Sequence, residues 1–235
     1  MNKIAFRVLG ACILAAALTA CPGGGGGSAS QGSGKLQNWP SSSTGKLEFY
    51  TTFPTPQVLR ATANVDASGN FSYSLPNIPA TELGDLGSPG SCAPSSNPSA
   101  KAANISGTGG IVAYVGAASS PTGIVFVLSF SPSASTLSAG DHLLVGFVFV
   151  NSDVTVVGTC TSGGLTTVYD LKFKAGWNLF IQTVEEVSGG TVTKTRMTAS
   201  TGPLPASLKW WYVPATASLS SVRPKPASGL WESAW

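Results

Sequence analysis

Short apolar runs bounded by turn residues constrain this fold more than any other feature of the sequence. Three such runs, of five to eight residues, occupy 111–115, 124–130 and 143–150, and clusters of Gly, Pro and Ser separate them. Helices in globular proteins are usually longer, whereas strands buried on both faces form short continuous runs rich in Val and Ile. We therefore predict three strands that are buried on both faces.

Alternation of apolar with other residues predicts further strands. It extends over 59–65 and 71–75, and the segment 66–70 between them is typical of a bulged hairpin with Gly69 in the left-handed conformation. The single carboxylate of Asp66 is too few ligands for calcium. In 167–173 the residues Thr167, Tyr169, Leu171 and Phe173 share one face, and 188–191 forms a second hairpin that places Glu185 opposite Lys194, with Arg196 on the diagonal.

Charged residues make up only 10% of the chain, against about 25% in ordinary domains. Coiled coils and long solvated helices are therefore excluded. We predict an all-β, antiparallel β-sandwich over 46–213, in which 76–108 forms a long irregular loop with one helical turn at 81–86. A transmembrane barrel is the alternative, because the terminal Trp235 is similar to an outer-membrane targeting signal. Against it, the apolar runs are too continuous to alternate between two faces.

The N-terminus has the layout of a secretory signal peptide over residues 1–20, with Lys3 and Arg7 before an apolar segment at 8–18. Leu18-Thr19-Ala20-Cys21 resembles the lipobox of bacterial lipoproteins. The resemblance implies that Cys21 is lipidated and becomes the mature N-terminus, anchored to the outer face of a membrane in the cell envelope. The residue after it, Pro22, favours an outer membrane or cell surface. The alternative is a secreted protein cleaved after Ala20.

The segment 22–45 is rich in Gly and Ser and contains little that could be buried. We predict that 21–45 comprises the lipidated cysteine and a flexible tether with a reach of about 27 Å. The β-sandwich would then occupy 46–213, and 214–235 would be a Pro- and Ser-rich tail with terminal tryptophans.

Two local resemblances accompany these patterns. The stretch 65–76, with Asp66-Ala67-Ser68-Gly69-Asn70 at its centre, is similar to a hairpin of carboxypeptidase-regulatory-like and transthyretin-like β-sandwiches. The stretches 169–179 and 208–212 resemble uncharacterised deinococcal-type envelope lipoproteins. These resemblances imply a fold class and a location, and they imply no activity.

No catalytic constellation emerges from the sequence. The one histidine, His142, adjoins Asp141 on a predicted strand, where neighbouring side chains point to opposite faces, so Asp141 cannot orient it as a triad carboxylate would. There is no Gly-x-Ser-x-Gly motif, and no cysteines have zinc-ligand spacing. We expect a non-catalytic protein without metal or cofactor. A hydrolase that uses His142 is the less favoured hypothesis.

Tryptophans are the candidate binding residues, namely Trp210, Trp211, Trp231 and Trp235. Large aromatic side chains stack on sugars or anchor protein partners. We expect a structural or interaction module that binds envelope proteins, or alternatively a glycan-binding module; one of Trp210 and Trp211 could instead close the core. The net charge of +3 lacks the dense basic clustering of nucleic-acid surfaces.

Two cysteines remain in the expected mature chain, because Cys12 leaves with the signal peptide and lipid occupies Cys21. They are Cys92 and Cys160, and disulfides commonly form outside the cytosol. We predict that they form a disulfide that ties the 76–108 loop to a sheet, in preference to two free thiols.

Overall fold

The computed structural model describes residues 29–134 and 136–216, and nearly all of its regular structure is β-strand. A 3-10 turn at Ala80–Glu82 and a single helical turn at Gly107–Gly110 interrupt the strands. The strands are β1 Gln31–Gln37, β2 Gly45–Thr51, β3 Val58–Val65, β4 Asn70–Ser74, β5 Gly84–Asp85, β6 Lys101–Ile105, β7 Ile111–Val115, β8 Gly123–Leu128, β9 His142–Val150, β10 Val154–Ser162, β11 Leu165–Phe173, β12 Gly176–Ser188, β13 Thr191–Ser200 and β14 Lys209–Pro214.

Seven strands close into a barrel in the order β1-β14-β8-β7-β2-β3-β4. The shortest register of paired residues in the ring is between β3 and β4, which share the single pair Val65 with Phe71 at their hairpin. Asp66 stabilises that turn by accepting hydrogen bonds from the backbone N–H groups of Ser68 and Asn70, at 2.8 and 2.9 Å. Gly69 has φ 82°, so the predicted bulged hairpin is present.

The other seven strands form a sheet in the order β10-β11-β13-β12-β9-β6-β5, which we call the half-barrel. One face of β6, β9 and β12 packs into the barrel, where Phe147 contacts Tyr73 and Trp210. The opposite face encloses a second core that contains Val148, Phe180 and Tyr169. The molecule is therefore all-β and sandwich-like, with a barrel core and a half-barrel core on the two faces of one sheet.

Strand β9 confirms the prediction of a strand buried on both faces, because every residue from Val145 to Val150 is buried. Phe147 and Phe149 belong to the barrel core, and Val148 and Val150 belong to the half-barrel core. The same prediction is wrong for 111–115 and 124–130. Strands β7 and β8 lie in the barrel wall, so alternate residues such as Val112 and Ile124 remain only half-buried on its outer side.

The segment 86–100 closes the open side of the half-barrel. Leu86, Ala93 and Ala100 pack into the half-barrel core, and Ser95 forms a β-bridge to Val156 on the edge strand β10. The predicted disulfide between Cys92 and Cys160 is present, with a Cα–Cα distance of 5.3 Å. The backbone approaches closely here, because a Cβ on Gly158 would lie 2.0 Å from the carbonyl oxygen of Cys92.

The predicted tether at 21–45 is wrong from residue 29 onward, and the domain begins earlier than residue 46. Strand β1 pairs with β4 and, in parallel, with β14, while Ala29 and Leu36 are buried in the barrel core. The sequence of β1, Gln-Gly-Ser-Gly-Lys-Leu-Gln, has no alternation of apolar residues that would predict a strand. Gly32 and Gly34 are required by packing, because a Cβ at either position would lie within 3 Å of the side chains of Tyr73 or Trp210.

Two further expectations need correction. The segment predicted as an irregular loop at 76–108 contains β6, which pairs with β9 in the half-barrel and whose small residues Ala102 and Ala103 carry no apolar periodicity that would reveal it. Pairing is mainly antiparallel, but β1 with β14 and β11 with β13 are parallel. The alternation in β11 is as predicted, since Thr167, Tyr169, Leu171 and Phe173 are all buried.

Candidate functional site

The adjacent tryptophans Trp210 and Trp211 have opposite surroundings, because successive strand residues point to opposite faces. Trp210 is buried in the barrel core and makes an edge contact with Phe71 at a centroid distance of 4.9 Å. The prediction of Trp210 as a binding residue is therefore wrong, and it is the residue that closes the core. Trp211 points outward, is half-buried, and donates a hydrogen bond from Nε1 to the carbonyl oxygen of Leu128 at 3.4 Å.

Trp211 lies at one end of an apolar row across the outer wall of the barrel. Its cross-strand neighbour on β8 is Phe126, and Ile124 on the same strand pairs with Val112 on β7. Their chain neighbours Val125, Val127, Ile111 and Ala113 belong to the barrel core, so these side chains point away from it. We call Trp211, Phe126, Ile124 and Val112 the outer stripe.

The outer stripe ends at a buried carboxylate, because Val112 pairs with Glu48 on β2. Glu48 is 7% exposed although it faces the outer side of the barrel. Lys46 Nζ lies 2.6 Å from one carboxylate oxygen and Tyr50 Oη donates to the other at 2.6 Å. Tyr114 adjoins these groups, because the Lys46 ammonium lies 4.2 Å from the centre of its ring. We call these four residues the Glu48 network.

Hydrogen bonds keep the Glu48 carboxyl group ionised. Burial acts to raise the pKa of Glu48, but the interactions with Lys46, Tyr50 and Tyr114 outweigh it and hold the pKa below its usual value. The hydrogen bond that Tyr50 donates to Glu48 raises the pKa of the Tyr50 phenol above its usual value, because an ionised phenolate could no longer donate it. At neutral pH the network is thus a carboxylate, an ammonium and two phenols, an arrangement that can recognise polar ligands and lacks a free nucleophile.

His142 lies at the start of β9 and does not form a triad with Asp141. Its Nδ1 lies 2.9 Å from the hydroxyl of Thr183, whereas the Asp141 carboxylate accepts from the Ser129 hydroxyl at 3.3 Å and the Ser138 N–H at 2.8 Å. Burial lowers the pKa of His142, and the charge of Asp141 acts against this shift. The sequence predicted that Asp141 and His142 point to opposite faces, and this explains why their side chains have separate partners.

The predicted charge cluster on β12 and β13 is present with a different register. A bulge places Glu186, and not Glu185, opposite Lys194, while the hairpin at Ser188 and Thr191 is as predicted. Glu185 contacts both Lys194 at 3.4 Å and Arg196 at 2.5 Å. These charges pair with one another on the sheet surface, so they are best explained as a solvated face.

Several candidate residues lie outside the described part of the chain, namely Cys21, Trp231 and Trp235. Within 29–134 and 136–216, no three His, Cys, Asp or Glu side chains are grouped so that they could hold a metal ion. In the same residues there is no helix of the length and apolarity that crossing a bilayer requires. The comparisons with protein-family models, with curated proteins and with solved structures found no match.

The Glu48 network and the outer stripe were not identified from the sequence. Lys46, Glu48 and Tyr50 alternate at i, i+2 and i+4, which is the spacing of one strand face, and this signal was available. Their pairing with Val112 and Tyr114 depends on the contact between β2 and β7, which are separated by about sixty residues of chain. Only the three-dimensional structure brings them together.

Proposed function

We propose that this protein is a non-catalytic lipoprotein of the cell envelope, an interaction module held by lipid on Cys21 at the outer face of an outer membrane or cell surface. The outer stripe and the Glu48 network are the surface with which it would bind an envelope partner. Two acyl chains or more give stable anchoring, since each buried methylene contributes about 0.8 kcal/mol.

One observation carries this proposal: Ala29, only eight positions after Cys21, is already packed into the folded domain. Ala29 is 1% exposed and its N–H donates to the carbonyl oxygen of Thr201 at 3.1 Å. A lipid on Cys21 would therefore hold the β-domain directly at the membrane surface. The Cys92–Cys160 disulfide supports a location outside the cytosol, where such bonds persist.

The anchor is tested by detergent phase partitioning of the wild type and of Cys21→Ser after expression in a lipoprotein-processing bacterium. We expect the wild type in the detergent phase and the variant as an unprocessed precursor or a secreted protein. Cys12→Ser is the matched control and should partition like the wild type. Recovery of the wild type in the aqueous phase would contradict the proposal.

The interaction surface is tested by capturing envelope proteins on the lipidated protein. Trp211→Ala removes the largest side chain of the outer stripe and should reduce capture of a specific partner at least tenfold, whereas Val157→Ala, an exposed apolar residue on the half-barrel, should not. Equal capture by both variants would place the partner elsewhere.

A glycan is the second candidate partner, because Trp211 lies next to Phe126 on the outer stripe and such rings can stack on sugars. Glycan-array binding that is lost in Trp211→Ala and retained in Val157→Ala would favour this reading over a protein partner. Binding of no glycan by the folded wild type would remove it.

A further inference from the structure

Two backbone hydrogen bonds hold Ala29 and Ser30, the first described residues, against two different parts of the domain. Ala29 donates its N–H to Thr201, just after β13, and the carbonyl oxygen of Ser30 accepts from the N–H of Leu75, just after β4, at 2.7 Å. These contacts bring residues 75–79 and 201–204 beside the entry point. We call Ser30, 75–79 and 201–204 the entry pole.

The entry pole carries no charged side chain, and three of its exposed residues are prolines. No Asp, Glu, Lys, Arg or His occurs within 67–81 or 197–208. Pro76, Pro79 and Pro203 are exposed, and proline has no backbone N–H. Such a surface can approach a lipid headgroup layer without the free-energy cost of desolvating charged side chains.

The adjoining end of the half-barrel adds paired charges only. Trp177, near the start of β12, donates from Nε1 to the carbonyl oxygen of Pro76 at 2.9 Å, which joins this end to the entry pole. Lys174 pairs with Asp153 at 2.7 Å, and Lys101 pairs with Asp85 at 2.5 Å. The sum of these four charges is zero, so they add no net charge to the surface that would face a membrane.

The opposite end of the molecule carries two exposed turns. The turn with Ser68, between β3 and β4, lies beside the far end of β1, where the carbonyl oxygen of Gly69 accepts from the N–H of Leu36. The turn after Ser188 begins β13, whose ten residues run back to the entry pole over about 33 Å. We call these two turns the far pole.

The chain between Cys21 and Ala29 is too short to let the domain invert. Its eight steps span at most about 29 Å when fully extended. Inversion would require Ala29 to stand about 33 Å from the membrane, the length of β13. We infer that the entry pole rests against the phospholipid headgroup layer and that the far pole points away from it. This inference rests on the lipid anchor proposed above.

This orientation also determines what the protein presents to its surroundings. Trp211 pairs with Gln37, six residues along β1 from Gln31, so it lies about 20 Å from the entry pole. The outer stripe therefore stands clear of the headgroups, where a partner can reach Trp211, while the entry pole is covered by lipid.

The orientation is tested with single cysteines that replace exposed hydroxyl residues: Thr201→Cys at the entry pole, and Ser68→Cys and Ser188→Cys at the far pole as matched controls. Each variant of the full-length lipidated protein is labelled with a fluorophore and bound to phosphatidylcholine vesicles that contain lipid spin-labelled at the headgroup. The parent protein without the new thiol measures background labelling. We expect quenching at position 201 to exceed that at both control positions several-fold.

The outcomes separate the orientation from the anchor. If the labelled protein does not float with the vesicles, the lipid anchor itself is wrong. If it floats and quenching is equal at the three positions, or strongest at 68 or 188, the orientation is overturned and the anchor stands. Insertion of about 20 Gly and Ser residues before Ala29 raises the fully extended reach from about 29 Å to about 100 Å and should reduce quenching at position 201 while flotation is unchanged.

Discussion

The barrel core and the half-barrel core lie on the two faces of one sheet, but they are closed in different ways. The barrel core is surrounded by paired strands and contains a continuous set of aromatic contacts among Phe49, Phe71, Tyr73, Phe147 and Trp210. The half-barrel core is smaller and mostly aliphatic, and the irregular segment 86–100 closes it with a few buried side chains, backbone contacts and a disulfide.

The two cores also differ in the polar groups that they bury. The half-barrel encloses Thr167, Thr195 and Gln182, which hydrogen-bond one another, and a Tyr169 hydroxyl that has no partner. In the barrel, the hydroxyl of Tyr212 donates to the carbonyl oxygen of Thr122 at 3.2 Å. A small core that contains unpaired polar groups gains less free energy from burial, so covalent closure matters more there.

The largest effect should come from Trp210→Ala, which removes the ring at the centre of the barrel core. Loss of buried area together with the resulting cavity should lower the free energy of unfolding by about 3–5 kcal/mol. Denaturant unfolding measures this. The control Trp211→Ala should cost about 1 kcal/mol or less, because that ring lies on the outer wall. Equal losses in the two variants would contradict the assignment of Trp210 alone to the core.

Removal of the disulfide in the double variant Cys92→Ser, Cys160→Ser should lower the free energy of unfolding by about 2–4 kcal/mol, as expected for a bond with a sequence separation of 68. The effect should be local, because the bond closes the half-barrel only. Hydrogen exchange should show faster exchange in 86–100 and β10 and unchanged protection in β2 and β8. Equal loss of protection throughout would mean that the two cores unfold as one unit.

Glu48→Gln should lower the free energy of unfolding by about 1–3 kcal/mol at pH 7, because hydrogen bonds to a charged group are lost. The folded-state pKa of Glu48 is depressed, so its stabilisation is present above the ordinary carboxyl pKa of about 4.3 and is lost as pH falls through the folded value. The free energies of unfolding of the wild type and the variant should therefore become similar at acidic pH. Glu186→Gln, at an exposed ion pair, should change stability by less than about 1 kcal/mol.

The smallest effect should come from Tyr169→Phe, which removes the buried hydroxyl without a partner. We expect the free energy of unfolding to be unchanged or to rise by up to about 1 kcal/mol. The matched variant in the barrel, Tyr212→Phe, loses a hydrogen bond and should be destabilised by about 1 kcal/mol. Thermal unfolding of the two variants compares them, and a clear loss in Tyr169→Phe would reveal a partner for that hydroxyl.

Local patterns predicted the strands whose side chains carry a clear period. The alternation in β11, the continuous apolar segment of β9 and the turn at Asp66 are all present as expected. Strands β1 and β6 were missed because small and polar residues such as Gly34 and Ala102 carry no hydrophobic period. Their strand conformation comes from neighbours far along the chain, with which they pair.

The candidate site shows the same division. The sequence singled out Trp210 and Trp211 and the pair Cys92 and Cys160, and the disulfide prediction is confirmed. It did not identify which tryptophan points outward, because an alternating pattern shows that two neighbours differ and leaves open which face is buried. That choice depends on Phe71, Tyr73 and Phe147, which surround Trp210 in the barrel core.

By itself, the sequence determined that this chain is all-β, because low charge and short apolar runs exclude solvated helices and favour strands. The tertiary structure alone decided that β1 belongs to the barrel, that β11 and β13 pair in parallel, and that Glu48 is buried beside Val112. The physical reason is that side-chain periodicity is a local property of the backbone, whereas strand pairing depends on contacts between residues far apart in sequence.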